Sequence, residues 1–337
     1  MAVTLREVAA KVGVTPVVVS RVLHNKANGI RVSEATAQRI RDAAEELGYR
    51  VNVWARNFRA QQTMTIGVLH GAGFPRPLFD QGARYFAALM DGIVEGAFRH
   101  GYSVSLCPKL LGLDPQDAMN DGRFDGLVWY SSSPSPEMKE AMIRSHAPIV
   151  ALHAKASEYD GRMPTVRCNN EMGIRLGLEH LLTLGHRKIA YADEAELGSE
   201  EAIDRLDCFM KLAPKATKRD IVKVHFDRAE VHNYLSKPLE HTALMCFSEG
   251  LAADFIQAAP THGVKLPEDL SIVGFDSTAY CNELRPELTS ISQPLAKIGE
   301  TAIDILVKRI NGEPVELMET VLPCGLDIRN STAAPRR

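Results

Sequence analysis

The 337-residue chain lacks the features that mark most membrane-bound and disulfide-rich proteins. It has no run of 18 apolar residues, so no segment is predicted to span a membrane. Its six cysteines lie far apart, without a C-x-x-C pair or a histidine at zinc-finger spacing, which argues against a disulfide framework or a structural zinc site. The N-terminus carries Arg6, Glu7 and Lys11 and no apolar stretch, which is not typical of a signal peptide. Buried free thiols in the cytoplasm are therefore expected.

Patterns that carry common catalytic chemistry are also missing. Neither the nucleophile-elbow pattern G-x-S-x-G nor the phosphate-binding patterns GxxxxGK[ST] and GxGxxG occur. The segment LGHRKIA (184–190) holds a histidine and two cations, but at a helix-to-strand turn such residues are more often structural. No catalytic residue, metal ligand or cofactor is expected, and an enzyme is disfavoured.

Charge is distributed unevenly along the chain. The formal net charge is −3, yet residues 1–60 hold ten Lys or Arg against five Asp or Glu, which leaves a net charge of +5 there and −8 elsewhere. A basic segment on an acidic body is typical of a nucleic-acid-binding arm joined to a separate domain. A solvated basic face is the alternative.

The first sixty residues predict three short helices. Apolar positions recur at helical spacing over residues 5–12, directly after the N-cap candidate Thr4. A second helix is predicted from Pro16, which suits the first helical position, with Thr15 as its cap. A third is predicted over residues 34–47. Such an arrangement describes a helix-turn-helix domain, with a three-helix bundle without a DNA role as the alternative.

The exact residue sequence of this segment is more informative than its helical pattern. The stretches TLREVAAKVGVTPVVVSRVLHNK (4–26) and VSEATAQRIRDAAEELGYRVNVWAR (32–56) closely resemble the headpiece of the lactose-repressor (LacI/GalR) family of bacterial transcription regulators. The resemblance implies that residues 16–23 form a recognition helix in the major groove. It also implies a hinge segment, residues 52–61, that becomes a short helix on DNA and enters the minor groove.

Two side chains carry the sharpest predictions of contact with bases. Arg21 has a planar fork of donors that can bond guanine O6 and N7 together, with a phosphate contact as its alternative. Phe58 stands where the family normally places a leucine wedge, with packing on the core as its alternative. The recognition helix begins with three apolar residues, which can touch thymine methyls but cannot hydrogen-bond. The predicted DNA-contacting residues are Thr4, Thr15, Pro16, Val17, Val18, Ser20, Arg21, Asn25, Ala55, Arg56, Phe58 and Arg59.

From Thr65 onward, short apolar runs alternate with amphipathic stretches. The predicted strands are Ile66–Leu69, Val104–Cys107, Gly126–Tyr130, Ile149–Leu152, Ile189–Tyr191, Ile221–Val224, Ala243–Phe247 and Ser271–Phe275. Helical stretches fall between most of them, for example Tyr85–Arg99, Asn170–Leu184 and Leu295–Ile310. This alternation predicts parallel sheets covered on both faces, with ligands at the carboxyl ends of the strands.

Three segments look like the effector-binding core of the same family, which is related to periplasmic sugar-binding proteins. They are LGLEHLLTLGHRKIAYA (176–192), LPEDLSIVGFD (266–276) and RPELTSISQP (285–294). The expected fold is an N-terminal all-α helix-turn-helix headpiece with a hinge helix, followed by an α/β core of two periplasmic-binding-protein-like subdomains. The expected boundaries are 1–51 for the headpiece, 52–62 for the hinge helix, 63–166 with 291–318 for the N-subdomain, and 167–290 with 319–330 for the C-subdomain.

The resemblance also implies a small-molecule cleft between the subdomains. Arg205 in DRLDCF matches the family's effector arginine and Asp276 its effector aspartate, a pair that would grip adjacent hydroxyls of a sugar-like ligand. Some positions depart from the family, with Ser248-Glu249 for the usual Asn-Asp and His153 where Asp is common. The predicted effector-binding residues are Tyr85, Phe86, Tyr130, His153, Arg205, Ser248, Glu249 and Asp276.

Together these features predict a cytoplasmic, homodimeric transcription regulator, expected to be a repressor. Its expected partners are a pseudo-palindromic double-stranded DNA operator and a small-molecule effector, a sugar or sugar derivative, that shifts the population of DNA-binding forms. The alternative is a sugar- or nucleobase-binding protein that acts as an activator or without specific DNA readout.

Overall fold

The computed structural model describes residues 3–24, 31–50, 57, 62–70, 83–107, 115–130, 134–194, 199–214, 218–225 and 228–336. By packing, the chain forms two compact units, residues 1–62 and 63–337. The predicted hinge segment lies outside the described residues apart from Asn57. Five of the predicted DNA-contacting residues also lie outside them: Asn25, Ala55, Arg56, Phe58 and Arg59.

The first unit has the three predicted helices in its described part: α1 (Leu5–Val12), α2 (Pro16–His24) and α3 (Glu34–Glu46). Thr4 begins α1 with a capping box, in which its hydroxyl accepts the N–H of Glu7 and the Glu7 carboxylate accepts the N–H of Thr4. Gly13, with φ of 76°, ends α1 in the left-handed region that glycine adopts without steric cost. The helices share one apolar core, which includes Val8, Val19 and Ile40.

The second unit is built on two sheets of six strands each. The strands are β1 (Thr65–His70), β2 (Ser103–Cys107), β3 (Gly126–Tyr130), β4 (Ile149–Leu152), β5 (Thr165–Cys168), β6 (Lys188–Glu194), β7 (Lys218–Val224), β8 (Ala243–Cys246), β9 (Ser271–Asp276), β10 (Thr289–Ser292), β11 (Glu319–Leu322) and β12 (Gly325–Asp327). The first sheet has the order β11-β5-β4-β3-β1-β2 and the second β12-β10-β9-β8-β6-β7. All neighbouring strands are parallel except β10 and β12.

Helices connect the strands and cover the sheets, as parallel pairing requires. They are α4 (Ala83–Arg99), α5 (Pro115–Asn120), α6 (Pro136–Arg144), α7 (Asn170–Thr183), α8 (Glu200–Leu212), α9 (Ala229–Leu235), α10 (Glu249–Ala258) and α11 (Leu295–Ile310), with short 3-10 turns at Ala156–Tyr159, Ala259–His262 and Ala279–Asn282. Helices α4 and α11 cross so closely that a Cβ at Gly92 would clash with the carbonyl oxygen of Ala296. In the described part of the chain, no helix is long and apolar enough to cross a membrane.

Three chain segments cross between the two sheets among the described residues. After β5 the chain enters α7, which packs against β10 and β12 of the second sheet. After β10 it returns through residues 293–294 to α11, which packs against β3, β4 and β5. From β11 it crosses once more through residues 323–324 to β12. Two sheets joined by three crossings can move relative to each other only by bending these segments.

The predicted α/β architecture and all eight predicted strands are confirmed, with ends that shift by up to three residues. The sequence prediction missed β5, β10, β11 and β12, which have only three or four residues each and each include a polar residue. Strands this short are held by pairing with neighbours far along the chain, which leaves little periodic signal in the sequence itself.

Candidate functional site

Side chains from both sheets meet where strands end at their carboxyl termini. Tyr130 ends β3, His153 directly follows β4, and Asp276 ends β9. His153 and Asp276 have φ of 58° and 107°, a region that residues other than glycine rarely occupy. Such backbone strain persists only where the surroundings enforce it, and it clusters at functional sites. These strand ends therefore mark the candidate ligand cleft.

An aromatic wall lines the first-sheet side of this cleft. It consists of Tyr85 and Phe86 from α4 together with Tyr130 and His153. The Tyr85 hydroxyl lies 2.7 Å from His153 Nε2, and the rings of Phe86 and Tyr130 have centroids 5.2 Å apart. Burial raises the pKa of both Tyr85 and Tyr130, so each remains a neutral phenol. The structure thus brings together four predicted residues that offer ring faces to a ligand.

Arg205, on α8, occupies the opposite side of the cleft and is 2% exposed. Its Nε donates to Asn170 Oδ1 at 3.0 Å, Nη1 to the carbonyl of Phe247 at 2.9 Å, and Nη2 to Glu201 Oε2 at 3.0 Å. The guanidinium also stacks on Phe275, with 3.7 Å between its central carbon and the ring centroid. Although burial acts to lower the pKa of Arg205, Glu201 and its other neighbours raise it, so the group stays charged. Protein groups therefore already hold most of its donors.

Arg205 lies between two buried carboxyl groups with opposite pKa shifts. Glu201 Oε1 is 3.3 Å from His153 Nδ1. Burial acts to raise the pKa of Glu201, but His153 and Arg205 outweigh it and bring that pKa to about 2. Asp276 is 3.8 Å from Arg205 Nη1 and accepts a hydrogen bond of 2.6 Å from Gln293 Nε2. For Asp276 burial wins over the attraction of Arg205, and its pKa is held well above the usual range.

A cavity of about 270 Å³ opens beside Asp276. Its lining comes from α4, the end of β9 and the start of α11, and includes Ala88, Asp276, Ser277, Thr278, Gln293 and Leu295. Gln293 Oε1 is buried and has no hydrogen-bond partner within the described residues. An unpartnered buried acceptor is costly, so a ligand donor that reaches Gln293 would relieve that cost. Among the described residues no group of three or more His, Cys, Asp or Glu is placed to hold a metal ion.

The side chains of Ser248 and Glu249 are engaged by other protein groups. Ser248 begins α10 and its hydroxyl accepts the N–H of Leu251 at 3.1 Å. Glu249 accepts both the N–H and the hydroxyl of Thr278, which fixes the turn after Asp276. Their predicted contact with an effector stays a prediction.

Sequence reasoning did not single out Glu201 or Gln293 as members of this cluster. One local signal exists for Glu201, which precedes Arg205 by four residues and so shares a helix face with it. Gln293 lies in the segment RPELTSISQP, but only the fold shows that it reaches Asp276.

Helix α2 of the first unit presents the residues predicted to contact DNA. Pro16 and Val17 are exposed at its start, Val17 to 56%, whereas Val18 packs partly on the core of this unit. Ser20 and Arg21 are half-buried, and Nη1 of Arg21 has no hydrogen-bond partner in this part of the chain as described. The Thr4 hydroxyl is already engaged in the cap of α1. These placements do not test the predicted DNA contacts of α2, which stay predictions.

Comparison with known proteins agrees with both units. Residues 4–52 match the bacterial regulatory proteins of the lacI family, and residues 178–332 match a periplasmic binding protein-like domain. The HTH-type transcriptional regulator RegA of Clostridium saccharobutylicum is 27% identical, over 98% of this chain and 100% of its own. A crystal structure of the Lac repressor dimer bound to operator and the anti-inducer ONPF has a TM-score of 0.82 at 24% identity, over 99% of this chain and 100% of that one. A complex of the transcriptional regulator CelR with cellobiose has a TM-score of 0.70 at 23% identity, over 98% and 99%.

A helix-turn-helix unit followed by a two-sheet binding core defines a DNA-binding transcriptional regulator rather than an enzyme. More specifically, its first unit contains a helix-turn-helix domain of the lacI family, its second contains a periplasmic binding protein-like domain, and the full-length relatives are transcriptional regulators.

Proposed function

We propose that this regulator is a cytoplasmic repressor that binds a pseudo-palindromic operator as a homodimer. Binding of a sugar or sugar derivative then lowers or raises its affinity for the operator. The Lac repressor structure is a dimer on its operator, and the CelR structure holds cellobiose. These two likenesses support the same partners here. The proposed compartment is the one in which bacterial operator DNA lies.

The observation that carries the proposal is the meeting of the aromatic wall with Arg205 and Asp276 at the strand ends. A sugar ring can stack on Tyr85 or Tyr130, while its hydroxyls donate to acceptors. Protein groups hold most of the donors of Arg205, and acceptors at the cavity include the Asp276 carboxyl and Gln293 Oε1. A ligand rich in hydroxyl donors fits these acceptors.

The proposed domains start from those expected from the resemblance: headpiece 1–51, hinge helix 52–62, N-subdomain 63–166 with 291–318, and C-subdomain 167–290 with 319–330. Strand pairing moves the end of β5 and all of β11 to the N-subdomain and the end of β10 to the C-subdomain. Ligand in the cleft would contact both subdomains, so it would favour one relative placement of the two sheets. The hinge segments of a dimer would then gain or lose their helical structure. A coupling of about 1–3 kcal/mol would change operator affinity by roughly 5–150-fold.

An exposed apolar row supports the homodimer. Val94 and Phe98 are one helical turn apart on α4 and are 50% and 76% exposed. Leu106, on the edge strand β2 that pairs with β1, is 38% exposed. Water-exposed apolar side chains at one sheet edge are typical of a protein interface, and the proposed occupant is a second copy of this chain.

Selection of bound fragments from the source genome tests the function directly. The full-length chain is used at roughly 150 mM salt, which suppresses non-specific phosphate binding, with and without a panel of neutral sugars. Recovery of a palindromic consensus in either condition supports the proposal. Recovery of fragments without a shared sequence in both conditions would refute specific operator binding.

Two variants test the proposed DNA contacts on a fragment so recovered. Phe58→Ala is expected to weaken specific binding about tenfold or more and largely spare non-specific binding, because a wedge acts only on the deformed site. Arg21→Ala is expected to relax preference at one base pair by roughly 1–3 kcal/mol. Equal loss on specific and random DNA would contradict each role and indicate a phosphate contact for Arg21.

A further inference from the structure

Two cysteines lie at two of the three segments that cross between the sheets. Cys168 is the last residue of β5, directly before the first crossing, and Cys324 lies in the third crossing. Strands β5 and β11 pair so that Cys168 is opposite Leu322, and the N–H of Asn169 donates to the Leu322 carbonyl at 2.8 Å. Both thiols are buried, with 0% and 4% exposure. The fold thus brings together two thiols that are far apart in the sequence.

The Cys168 and Cys324 thiols are close enough to shift each other's pKa, and the two pKa values shift in opposite directions. Three acceptors lie within reach of the single Cys168 thiol proton: the Cys324 sulfur, Asn170 Oδ1 at 3.2 Å and Glu201 Oε1 at 3.9 Å. The hydrogen bond from Cys168, with the charge of Arg205, lowers the pKa of the Cys324 thiol. The same contact and burial raise the pKa of Cys168. Of the two thiols, Cys324 is therefore the one that loses its proton more readily.

We propose that Cys168 and Cys324 form an oxidation-sensitive dithiol, whose disulfide staples the first and third crossings when a peroxide oxidises it. The Cys324 thiolate attacks one peroxide oxygen, the O–O bond breaks, and a sulfenic acid and hydroxide result. The Cys168 thiol then gives up its proton and attacks the sulfenic sulfur, which forms the S–S bond and releases water. Two thiols lose two electrons and two protons in total, and one hydrogen peroxide becomes two waters.

The disulfide would act on the ligand cleft as well as on the crossings. It removes the thiol proton that faces Asn170 and Glu201, and both of these residues hold Arg205. It also ties together two segments that must bend independently when the sheets move. Oxidation is therefore expected to restrain the cleft. This consequence does not depend on which ligand or operator the protein uses.

The test uses the full-length reduced protein, treated under native conditions with hydrogen peroxide at a small molar excess. After remaining thiols are blocked by alkylation, a non-reducing digest is analysed by mass spectrometry. We expect one predominant linkage, between the peptides that contain Cys168 and Cys324. The thermal midpoint should rise by roughly 5–10 °C, since the bond constrains the unfolded chain, and return after reduction with dithiothreitol.

Variants separate this pair from general thiol oxidation. Cys168→Ser and Cys324→Ser should each abolish the linkage and the shift in thermal midpoint. Cys107→Ser, on the edge strand β2, is the matched control and should retain both. Absence of the linkage in the native wild-type protein, or its formation only in urea, would overturn the proposal, and this result needs no variant to fold. A shift in thermal midpoint that persists in both serine variants would overturn the stapling role.

Discussion

Replacing Arg205 with methionine tests whether charge holds the candidate cleft together. Methionine keeps the length of the side chain, but it removes the donor that Arg205 supplies to Glu201 Oε2 and the one that it supplies to the Phe247 carbonyl. Removing one partner of a buried ion pair costs about 3–5 kcal/mol. At about 2–4 °C per kcal/mol for a domain of this size, the thermal midpoint of the second unit should fall by roughly 6–20 °C.

Tryptophan fluorescence in urea measures the effect. Trp129, on β3, is 3% exposed and reports on the first sheet, and a Trp54→Phe background removes the other tryptophan. The second variant is Glu201→Gln with Arg205→Met, which removes both charges. Because the buried charge of Glu201 is then no longer left without that of Arg205, the double variant should be more stable than the sum of the single losses predicts, by about 1–3 kcal/mol.

The same variants have a distinct pH dependence. The pKa of Glu201 is about 2 in the folded protein against an ordinary 4.5, so the unfolded chain takes up its proton first as the pH falls. The stability that Glu201 contributes is therefore complete above about pH 4.5 and is lost as the pH falls toward 2. Arg205→Met should reduce this loss. A single variant within about 2 °C of wild type, or strictly additive losses, would refute the charge-based account of the cleft.

Three further predictions concern the rest of the second unit. Phe98→Glu should weaken self-association about tenfold or more in analytical ultracentrifugation, whereas Leu317→Glu, at a loop residue that is 65% exposed, should not; equal effects would place the interface elsewhere. Burial lowers the pKa of His186, so the folded form stays neutral while the unfolded chain protonates below about pH 6.5. The thermal midpoint should accordingly fall between pH 7.5 and 5.5, and His186→Gln should flatten that fall in calorimetry. Gly92→Ala should destabilise by about 1–3 kcal/mol because of the clash at the helix crossing, while Gly250→Ala, whose added Cβ would meet only Ser248 Oγ at an ordinary 3.7 Å, should not; urea unfolding distinguishes them.

Much of the fold could be predicted because its signals are local. The capping of α1 by Thr4 involves a residue only three positions away, and the turn at Gly13 depends on the conformation of that residue alone. Strands β3 and β4 read as apolar runs because both of their faces are covered. Each of these signals lies within a few consecutive residues, so it can be recognised in a single sequence.

The candidate site could be predicted only in part. The resemblance named Arg205 and Asp276, and the structure brings them within 3.8 Å of each other. It also named Ser248 and Glu249, whose side chains are engaged in a helix cap and a turn. Which of two neighbouring polar residues faces a cleft depends on the exact start of a helix, and sequence patterns locate helix starts only to within a few residues.

The amino-acid sequence by itself indicated the headpiece helices, the longer strands of the core and the resemblance to the LacI family. Tertiary structure decided the neighbours of each buried charge and thiol. His153 meets Glu201 because the end of β4 lies beside α8, and Cys168 meets Cys324 because parallel pairing brings β5 and β11 together. Such contacts form between residues that are far apart along the chain, and their energies depend on burial, which no local pattern records.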